Sequence, residues 1–199
     1  MPINKTLPIF APKATKQPMD NNMPNLRMMV RAALFTVLVI IGAYISLPIG
    51  EVPIVLSDFF VMLAGLLLGW PWAPVSVGMY LLLGAIGLPV FAGGTGGLQA
   101  FYGPTGGYLL GFGVASVMIA LVTNKRNSWL ADAVGLVLGS VAIFTLGIAG
   151  LMFKLNLSLG AALTAGLVPF IPFNVTKMLL AAAVAHWARP NLLLPNNNP

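Results

Sequence analysis

A lysine and an asparagine in the last apolar stretch are the side chains best suited to hold a polar ligand. Lys177 and Asn174 are three positions apart, so on a helix they lie on one face. Pro169 and Pro172 bracket the expected helix start, where proline is favoured. An ammonium inside a membrane helix is costly and normally faces a partner or a water-filled cavity. The pair therefore indicates a site for an anionic, amide-like ligand, with snorkelling of the lysine to the interface as the alternative.

A glycine-rich loop, residues 88–108, supplies a second part of a possible site. Seven of its 21 residues are glycine and two are proline. Glycine lets the main chain approach a ligand closely, and a membrane tolerates unpaired backbone only where it lines a cavity enclosed by protein. We therefore expect a folded loop above a cavity, and the alternative is a long connector with easy turns. A phosphate cradle is disfavoured because no Gly-Lys-Ser/Thr follows.

Several other side chains are candidates with competing interpretations. Asp58 is a ligand contact, a partner for a lysine or an interface-level carboxylate, whereas Tyr80 contacts the ligand or packs in the core. Aromatic residues of the loop could enclose an apolar ligand body. These are Phe91, Phe101, Tyr102 and Tyr108. His186 is expected at the cytoplasmic interface, and Asp132 is expected to be a helix-start carboxylate.

The elements that must position these residues follow from the composition. The chain has 199 residues, of which 58% are hydrophobic and 7% charged, against roughly 25% charged in an average soluble domain. Its mean hydropathy is +0.93, which excludes an ordinary water-soluble globule. A membrane helix needs about 20 residues, so the sequence predicts an all-α bundle of six transmembrane helices. Their expected positions are 28–47, 53–69, 71–88, 106–123, 131–152 and 166–188.

The residue counts also exclude several kinds of chemistry. With no cysteine, the chain has no disulfide, thiol nucleophile or thiolate metal site. One histidine and four acidic residues leave little for acid–base catalysis or metal binding. We therefore expect neither an enzyme nor a metal or cofactor site. The net charge of +6 does not indicate nucleic-acid binding, because the basic residues form no single patch.

The distribution of the basic residues instead predicts orientation. With both termini cytoplasmic, eight Lys and Arg residues lie on the inner side, at positions 5, 13, 16, 27, 31, 125, 126 and 189, and the outer loops hold Lys154 alone. This is the positive-inside bias. The glycine-rich loop is then extracellular. We expect a flexible cytoplasmic arm over 1–25, a membrane domain over 26–190 and a flexible tail over 191–199, with Ala32 and Thr36 forming a surface of small residues for another subunit.

Six segments of the chain resemble one known family. The segments are Gly-Ala-Tyr-Ile-Ser-Leu-Pro-Ile-Gly at 42–50, Val-Pro-Ile at 52–54, Leu-Ala-Gly-Leu-Leu-Leu-Gly at 63–69, Tyr-Leu-Leu-Leu-Gly-Ala-Ile-Gly-Leu-Pro-Val-Phe-Ala-Gly-Gly-Thr-Gly-Gly at 80–97, Gly-Pro-Thr-Gly-Gly-Tyr-Leu-Leu-Gly-Phe at 103–112 and Pro-Phe-Ile-Pro-Phe-Asn-Val-Thr-Lys at 169–177. On these residues the chain resembles the BioY-type substrate-binding (S) components of energy-coupling factor (ECF) vitamin transporters, whose substrate is biotin.

The resemblance implies a six-helix S component of the prokaryotic cell membrane. It implies capture of biotin from outside and energy from partner ATPase and coupling subunits, with Ala32 and Thr36 approximating the coupling surface. The implied ligand-binding residues are Lys177, Asn174, Tyr80, Phe91, Gly93, Gly94, Thr95 and Gly97, to which residue reasoning adds Asp58 and Tyr108. The valerate of biotin is expected at Lys177 and its ureido group at Asn174.

Two departures from the family pattern keep other readings open. Asn174 stands where the family usually has Asp, and Val-Leu-Ser at 55–57 replaces its usual Thr-Leu-Gln. The lost carboxylate removes a charge-assisted acceptor, which leaves three alternatives: weaker affinity, a repositioned partner such as Asp58, or a related ligand such as lipoate. A membrane scaffold without transport is the alternative from another functional class.

Overall fold

The computed structural model describes residues 23–48, 50, 52–123 and 128–193. Within that part of the chain there are seven α-helices and one β-hairpin. The helices are α1 (Met23–Tyr44), α2 (Ser57–Leu68), α3 (Trp72–Ala85), α4 (Gly106–Thr123), α5 (Trp129–Leu155), α6 (Leu159–Gly166) and α7 (Ile171–Leu193). Most of the expected arm, over 1–22, and of the tail, over 194–199, lies outside the described residues.

The predicted helical class is confirmed, and the helix boundaries differ in informative places. Helix α4 has the predicted bounds, and α3 and α5 lie within three residues of theirs. The predicted helix at 53–69 is too long, since Ile54–Val55 is strand β2 and α2 begins at Ser57. Strand β2 pairs antiparallel with β1, Ser46–Leu47. A strand forms here in place of the predicted helix because Pro53 has no N–H to donate and the β-branched Ile54 and Val55 favour extended backbone.

The predicted outer loop at 153–165 is also wrong in part. Helix α5 continues to Leu155 and ends at Asn156, which has a left-handed backbone with φ 51°. Ser158 then starts α6 by accepting a hydrogen bond from the N–H of Ala161 at 3.4 Å, as an N-cap residue does. A 3₁₀ turn over Val168–Phe170 precedes α7, so that helix begins five residues later than position 166.

Among the described residues, four helical segments are long and apolar enough to cross a membrane. They are Leu26–Tyr44, Gly106–Thr123, Trp129–Leu155 and the composite of α6 and α7 over Leu159–Pro190. The apolar helices α2 and α3 have 12 and 14 residues, which correspond to about 18 and 21 Å at 1.5 Å per residue. They are shorter than the roughly 30 Å hydrocarbon core of a bilayer. The chain is therefore a multi-pass membrane protein.

Small residues bring α4 and α5 into close contact. A Cβ at Gly111 would lie 2.7 Å from the Cα of Ile143, and one at Gly150 would lie 3.0 Å from the Cα of Gly107. The ring of Tyr108 occupies the space beside Gly147. Such contacts let membrane helices pack backbone against backbone. This pair of helices forms the rigid wall behind the cavity described below.

The expected surface for another subunit on α1 is buried instead. Ala32 and Thr36 are each 4% exposed. The Thr36 hydroxyl donates to the carbonyl of Ser76 in α3 at 2.9 Å and to the carbonyl of Ala32 at 3.0 Å. Small side chains at these two positions therefore allow α1 to pack on α3. The sequence correctly predicts that a helix packs closely here, but that helix belongs to the same chain and not to another subunit.

A buried ion pair joins three helices at the end of the bundle where α5 begins. The Arg189 guanidinium donates to both carboxylate oxygens of Asp132 at 2.7 Å, and to the carbonyl of Leu66 at 3.1 Å. The side chains are 5% and 0% exposed. Asp132 stands in the first turn of α5 as predicted, but its partner in α7 was not predicted. The pair ties the ends of α2, α5 and α7 together.

Candidate functional site

The opposite end of the bundle encloses a cavity of about 220 Å³. It lies where α1 and α3 end and where α2, α4 and α7 begin, with the middle of α5 behind it. Its wall is mostly apolar. The lining residues are Ala43, Val52, Pro53, Val55, Ser57, Asp58, Tyr80, Phe91, Ala92, Thr95, Thr105, Tyr108, Leu109, Phe112, Ile143, Phe144, Phe170 and Lys177.

An ion pair is the polar centre of this wall. The Lys177 ammonium donates to the two Asp58 carboxylate oxygens at 2.8 and 2.9 Å and to the carbonyl of Val55 at 2.6 Å. The two side chains are 11% and 14% exposed. In the part of the chain that the structure describes, they are the charged members of the cavity wall. The cavity thus carries one full charge of each sign.

Local structure fixes both partners of the pair. Asp58 is in the first turn of α2 and accepts a hydrogen bond from the N–H of Phe59 at 3.0 Å, where the helix dipole favours a negative charge. Val55 belongs to strand β2, so the hairpin presents its carbonyl to the ammonium. Lys177 is in the second turn of α7, whose start is set by Pro172. The hairpin, α2 and α7 therefore meet at the amine.

Aromatic rings form two sides of the cavity. Phe91 packs edge to face on Tyr80 with ring centroids 5.3 Å apart, and on Phe101 at 5.6 Å. On the other side Tyr108 stacks on Phe170 at 6.3 Å. The Tyr108 hydroxyl is committed, since it donates to the carbonyl of Gly166 at 2.8 Å. These faces suit a flat, largely apolar ligand body.

The glycine-rich loop folds over the cavity through its own hydrogen bonds. The N–H of Phe91 donates to the carbonyl of Thr95 at 3.0 Å, and the Thr95 hydroxyl donates to the carbonyl of Ala92 at 3.0 Å. Gly93 and Gly94 both have φ of +70°, which other residues rarely adopt. The Tyr44 hydroxyl also donates to the carbonyl of Pro89. The loop is therefore a shaped cover attached to α1.

The structure brings six of the proposed binding residues to the cavity and leaves four away from its lining. The lining includes Lys177, Asp58, Tyr80, Phe91, Thr95 and Tyr108. The other four are Asn174, Gly93, Gly94 and Gly97. The Asn174 amide donates to the Ser140 hydroxyl at 3.2 Å and to the Met178 sulfur at 3.4 Å, so it joins α7 to α5. The three glycines shape the loop.

Sequence reasoning missed part of the wall. Thr105, Phe112 and Ile143 line the cavity. Thr105 and Phe112 lie within the 103–112 segment that resembles the family, whereas nothing in the local pattern distinguishes Ile143 from a core residue. Phe170 lies within the 169–177 segment that resembles the family, and that was its one available signal. No group of three or more His, Asp or Glu suited to a metal occurs among the residues with described coordinates.

Comparisons with known proteins agree with one another. The BioY family model matches residues 14–193. The biotin transporter BioY of Thermotoga maritima is 41% identical over 160 residues, which cover 80% of this chain and 94% of the relative. The biotin transporter BioY of Rhodobacter capsulatus is 37% identical over 179 residues, covering 81% and 94%.

A solved structure extends the agreement to the fold. The crystal structure of the S-component for biotin from an ECF-type ABC transporter superposes with a TM-score of 0.79 at 32% identity, covering 87% of this chain and 95% of that one. The family match begins before α1 and ends with the last residue of α7. The cavity and every element that builds it thus lie within the matched region, and the chain belongs to the BioY family.

Proposed function

We propose that this protein captures biotin from the extracellular side of a prokaryotic cell membrane and delivers it to the cytoplasm. The named relatives are biotin transporters, and the solved relative is an S-component for biotin. As a family member, the chain is a transport component and not an enzyme. Biotin is its ligand and cargo.

The observation that carries the proposal is one ion pair set in a mostly apolar cavity beneath the glycine-rich loop. A ligand carboxylate entering there would meet Asp58 as well as Lys177, leaving two negative charges against one positive charge. A cyclic urea avoids this conflict, because its N–H groups donate to a carboxylate and its carbonyl accepts from an ammonium. We therefore assign the ureido group of biotin to Asp58 and Lys177, which reverses the orientation expected from the sequence.

The remaining proposed residues have distinct roles in this arrangement. Tyr80, Phe91 and Tyr108 enclose the fused rings, and Thr95 faces the ligand from the loop. The glycines Gly93, Gly94 and Gly97 hold the loop in the shape that covers the cavity. Asn174 positions α7 and does not contact the ligand. Its hydrogen bond to Ser140 holds α7 against α5 one turn before Lys177.

The charge distribution supports an outward-facing cavity. Of the Lys and Arg residues, five lie in the first 31 positions, two lie in the loop between α4 and α5, and Arg189 lies near the end of α7. The Asp132–Arg189 pair lies at that same end of the bundle, opposite the cavity. With this end cytoplasmic, the cavity and the glycine-rich loop face outward. The short helices α2 and α3 then complete six membrane segments, with α6 and α7 counted as one.

Energy for uptake must come from partner proteins. The sequence contains no Gly-x-x-x-x-Gly-Lys-Ser/Thr segment, which is the phosphate-binding signature of such ATPases. The solved relative belongs to an ECF-type ABC transporter. We propose that ECF coupling and ATPase subunits serve this chain in the same way.

Equilibrium binding of radiolabelled biotin to the purified protein tests the function. We expect saturable binding of one biotin per chain, and competition by unlabelled biotin in preference to lipoate, which has a carboxylate but no cyclic urea. Tighter binding of lipoate than of biotin would show that the protein is an S component for lipoate. Absence of saturable binding to either compound would favour the scaffold.

A further inference from the structure

Gly84, near the end of α3, contacts the glycine-rich loop in two ways. A Cβ built at Gly84 would lie 1.9 Å from Cζ of Phe91 and 2.4 Å from Cε1 and Cε2 of the same ring, so it would clash with the tip of the ring. The Gly84 carbonyl also accepts a hydrogen bond from the N–H of Gly97 at 2.7 Å. One residue of α3 therefore contacts the loop at two points, six residues apart along the loop.

Phe91 depends on that contact for its position in the cavity wall. Its side chain is 3% exposed and lies between Tyr80 and Phe101, with nearly perpendicular rings at 81° and 86°. Because Phe91 packs against both rings and also lines the cavity, a side chain at Gly84 would push its ring against these neighbours or into the space for the ligand. Only the missing side chain at Gly84 lets it lie this close to α3.

We propose that Gly84 is a positioning residue that seats the ring of Phe91 and thereby closes the glycine-rich loop over the bound ligand. The inference rests on the proposed function only for the identity of the ligand. Gly84 does not line the cavity, so it acts through Phe91 and through the carbonyl that receives Gly97. When the contact between Gly84 and the Phe91 ring is lost, the loop moves away from α3 and the bound ligand dissociates faster.

The substitution Gly84→Ala tests the seat with a single added methyl group. Alanine is a better helix former than glycine, so a loss of binding cannot come from weaker helix propensity. We expect the Kd for biotin to rise about tenfold, the equivalent of about 1.4 kcal/mol, through faster dissociation. The matched control is Gly78→Ala in the same helix, where a Cβ meets nothing within 4 Å, and it should bind biotin as the parent does. Parental biotin dissociation in Gly84→Ala would overturn the proposal.

A double variant separates seating from a general effect on the fold. Phe91→Ala removes the ring, so adding Gly84→Ala to it should change the Kd no further. An equal penalty in both backgrounds would show that Gly84 acts elsewhere and would contradict the proposal. Should Gly84→Ala alone fail to fold, recovery of the fold in the double variant supports the clash with Phe91, and failure of both variants overturns it.

Thiol labelling measures closure without any ligand. The chain has no cysteine, so Thr105→Cys places one thiol in the cavity wall. A small cationic methanethiosulfonate should modify it severalfold faster when Gly84→Ala is added, and at an unchanged rate when Gly78→Ala is added. Equal rates in all three proteins would overturn the proposed role of Gly84. If the parent protein does not bind biotin at all, only the proposed function is overturned.

Discussion

Lys177 and Asp58 are the residues on which the chemistry of the cavity depends. The cost of an ammonium in an apolar helix is enough to predict a functional role for Lys177 from the sequence, whereas Asp58 has three competing interpretations. The reason is distance along the chain, because the partners are 119 residues apart and no periodicity connects them. Asn174 shares a helical face with Lys177, yet the nearby Ser140 hydroxyl of α5 captures its amide. Only tertiary contacts decide such competition.

The ion pair should affect stability and binding separately. In Lys177→Ala the Asp58 carboxylate is left without its partner, and breaking a buried pair costs about 3–5 kcal/mol of stability. The double variant Asp58→Asn with Lys177→Met removes both charges and should unfold at a higher temperature than Lys177→Ala. Neither variant should bind biotin. Thermal unfolding in detergent and radioligand binding measure the two effects, and parental biotin affinity in either variant would refute the site.

Asp58 should also decide which chemical groups the cavity accepts. Asp58→Asn leaves the cavity with one net positive charge, which favours a ligand carboxylate over a urea. We expect weaker biotin binding and a smaller preference for biotin over lipoate, measured by competition against radiolabelled biotin. An unchanged preference would mean that the pair does not contact the ureido group.

At the scale of elements, the long apolar helices were predictable and the short irregular ones were not. Residues 106–123 form a helix with the predicted bounds because a strongly apolar run needs no partner to be recognised. The hairpin of β1 and β2 consists of two residues on each side, too few for an alternating pattern to show. The same holds for α6, an eight-residue helix that lies, except for Gly166, in the segment 153–165 predicted to be a loop.

The Asp132–Arg189 pair makes a testable connection between elements. Arg189→Leu leaves a fully buried carboxylate unpaired, and we expect a loss of about 3–5 kcal/mol of stability. Adding Asp132→Leu should restore part of that loss, since no charge then remains buried. Arg27→Leu, at an exposed site on α1, is the control with the same charge change. Equal unfolding temperatures for Arg189→Leu and Arg27→Leu would show that the pair contributes nothing.

For the whole molecule, the sequence predicts an orientation in the membrane and the structure adds which end of the bundle holds the cavity. The bias of Lys and Arg toward one side predicts the cytoplasmic end, and the cavity lies at the other end. Composition sufficed to predict a multi-pass membrane protein. The packing of the helices around a cavity could not be predicted, because helix faces of nearly uniform hydrophobicity do not reveal their neighbours.

Labelling of single cysteines in intact cells tests this orientation. Gly160→Cys places a thiol on α6, near the cavity end, and Ser128→Cys places one before α5 at the opposite end; both positions are exposed. A membrane-impermeant maleimide should label the first variant in intact cells and the second only after permeabilisation. The reverse pattern would place the cavity on the cytoplasmic side and contradict capture from outside.

The central claim is that biotin occupies the covered cavity with its ureido group on the Lys177–Asp58 pair. An experimental structure of the full chain solved with saturating biotin tests this most directly. We predict ligand density beneath the glycine-rich loop, with the urea within hydrogen-bond distance of the Lys177 ammonium and the Asp58 carboxylate. An empty cavity under saturating biotin, or biotin bound at another place, would contradict the account.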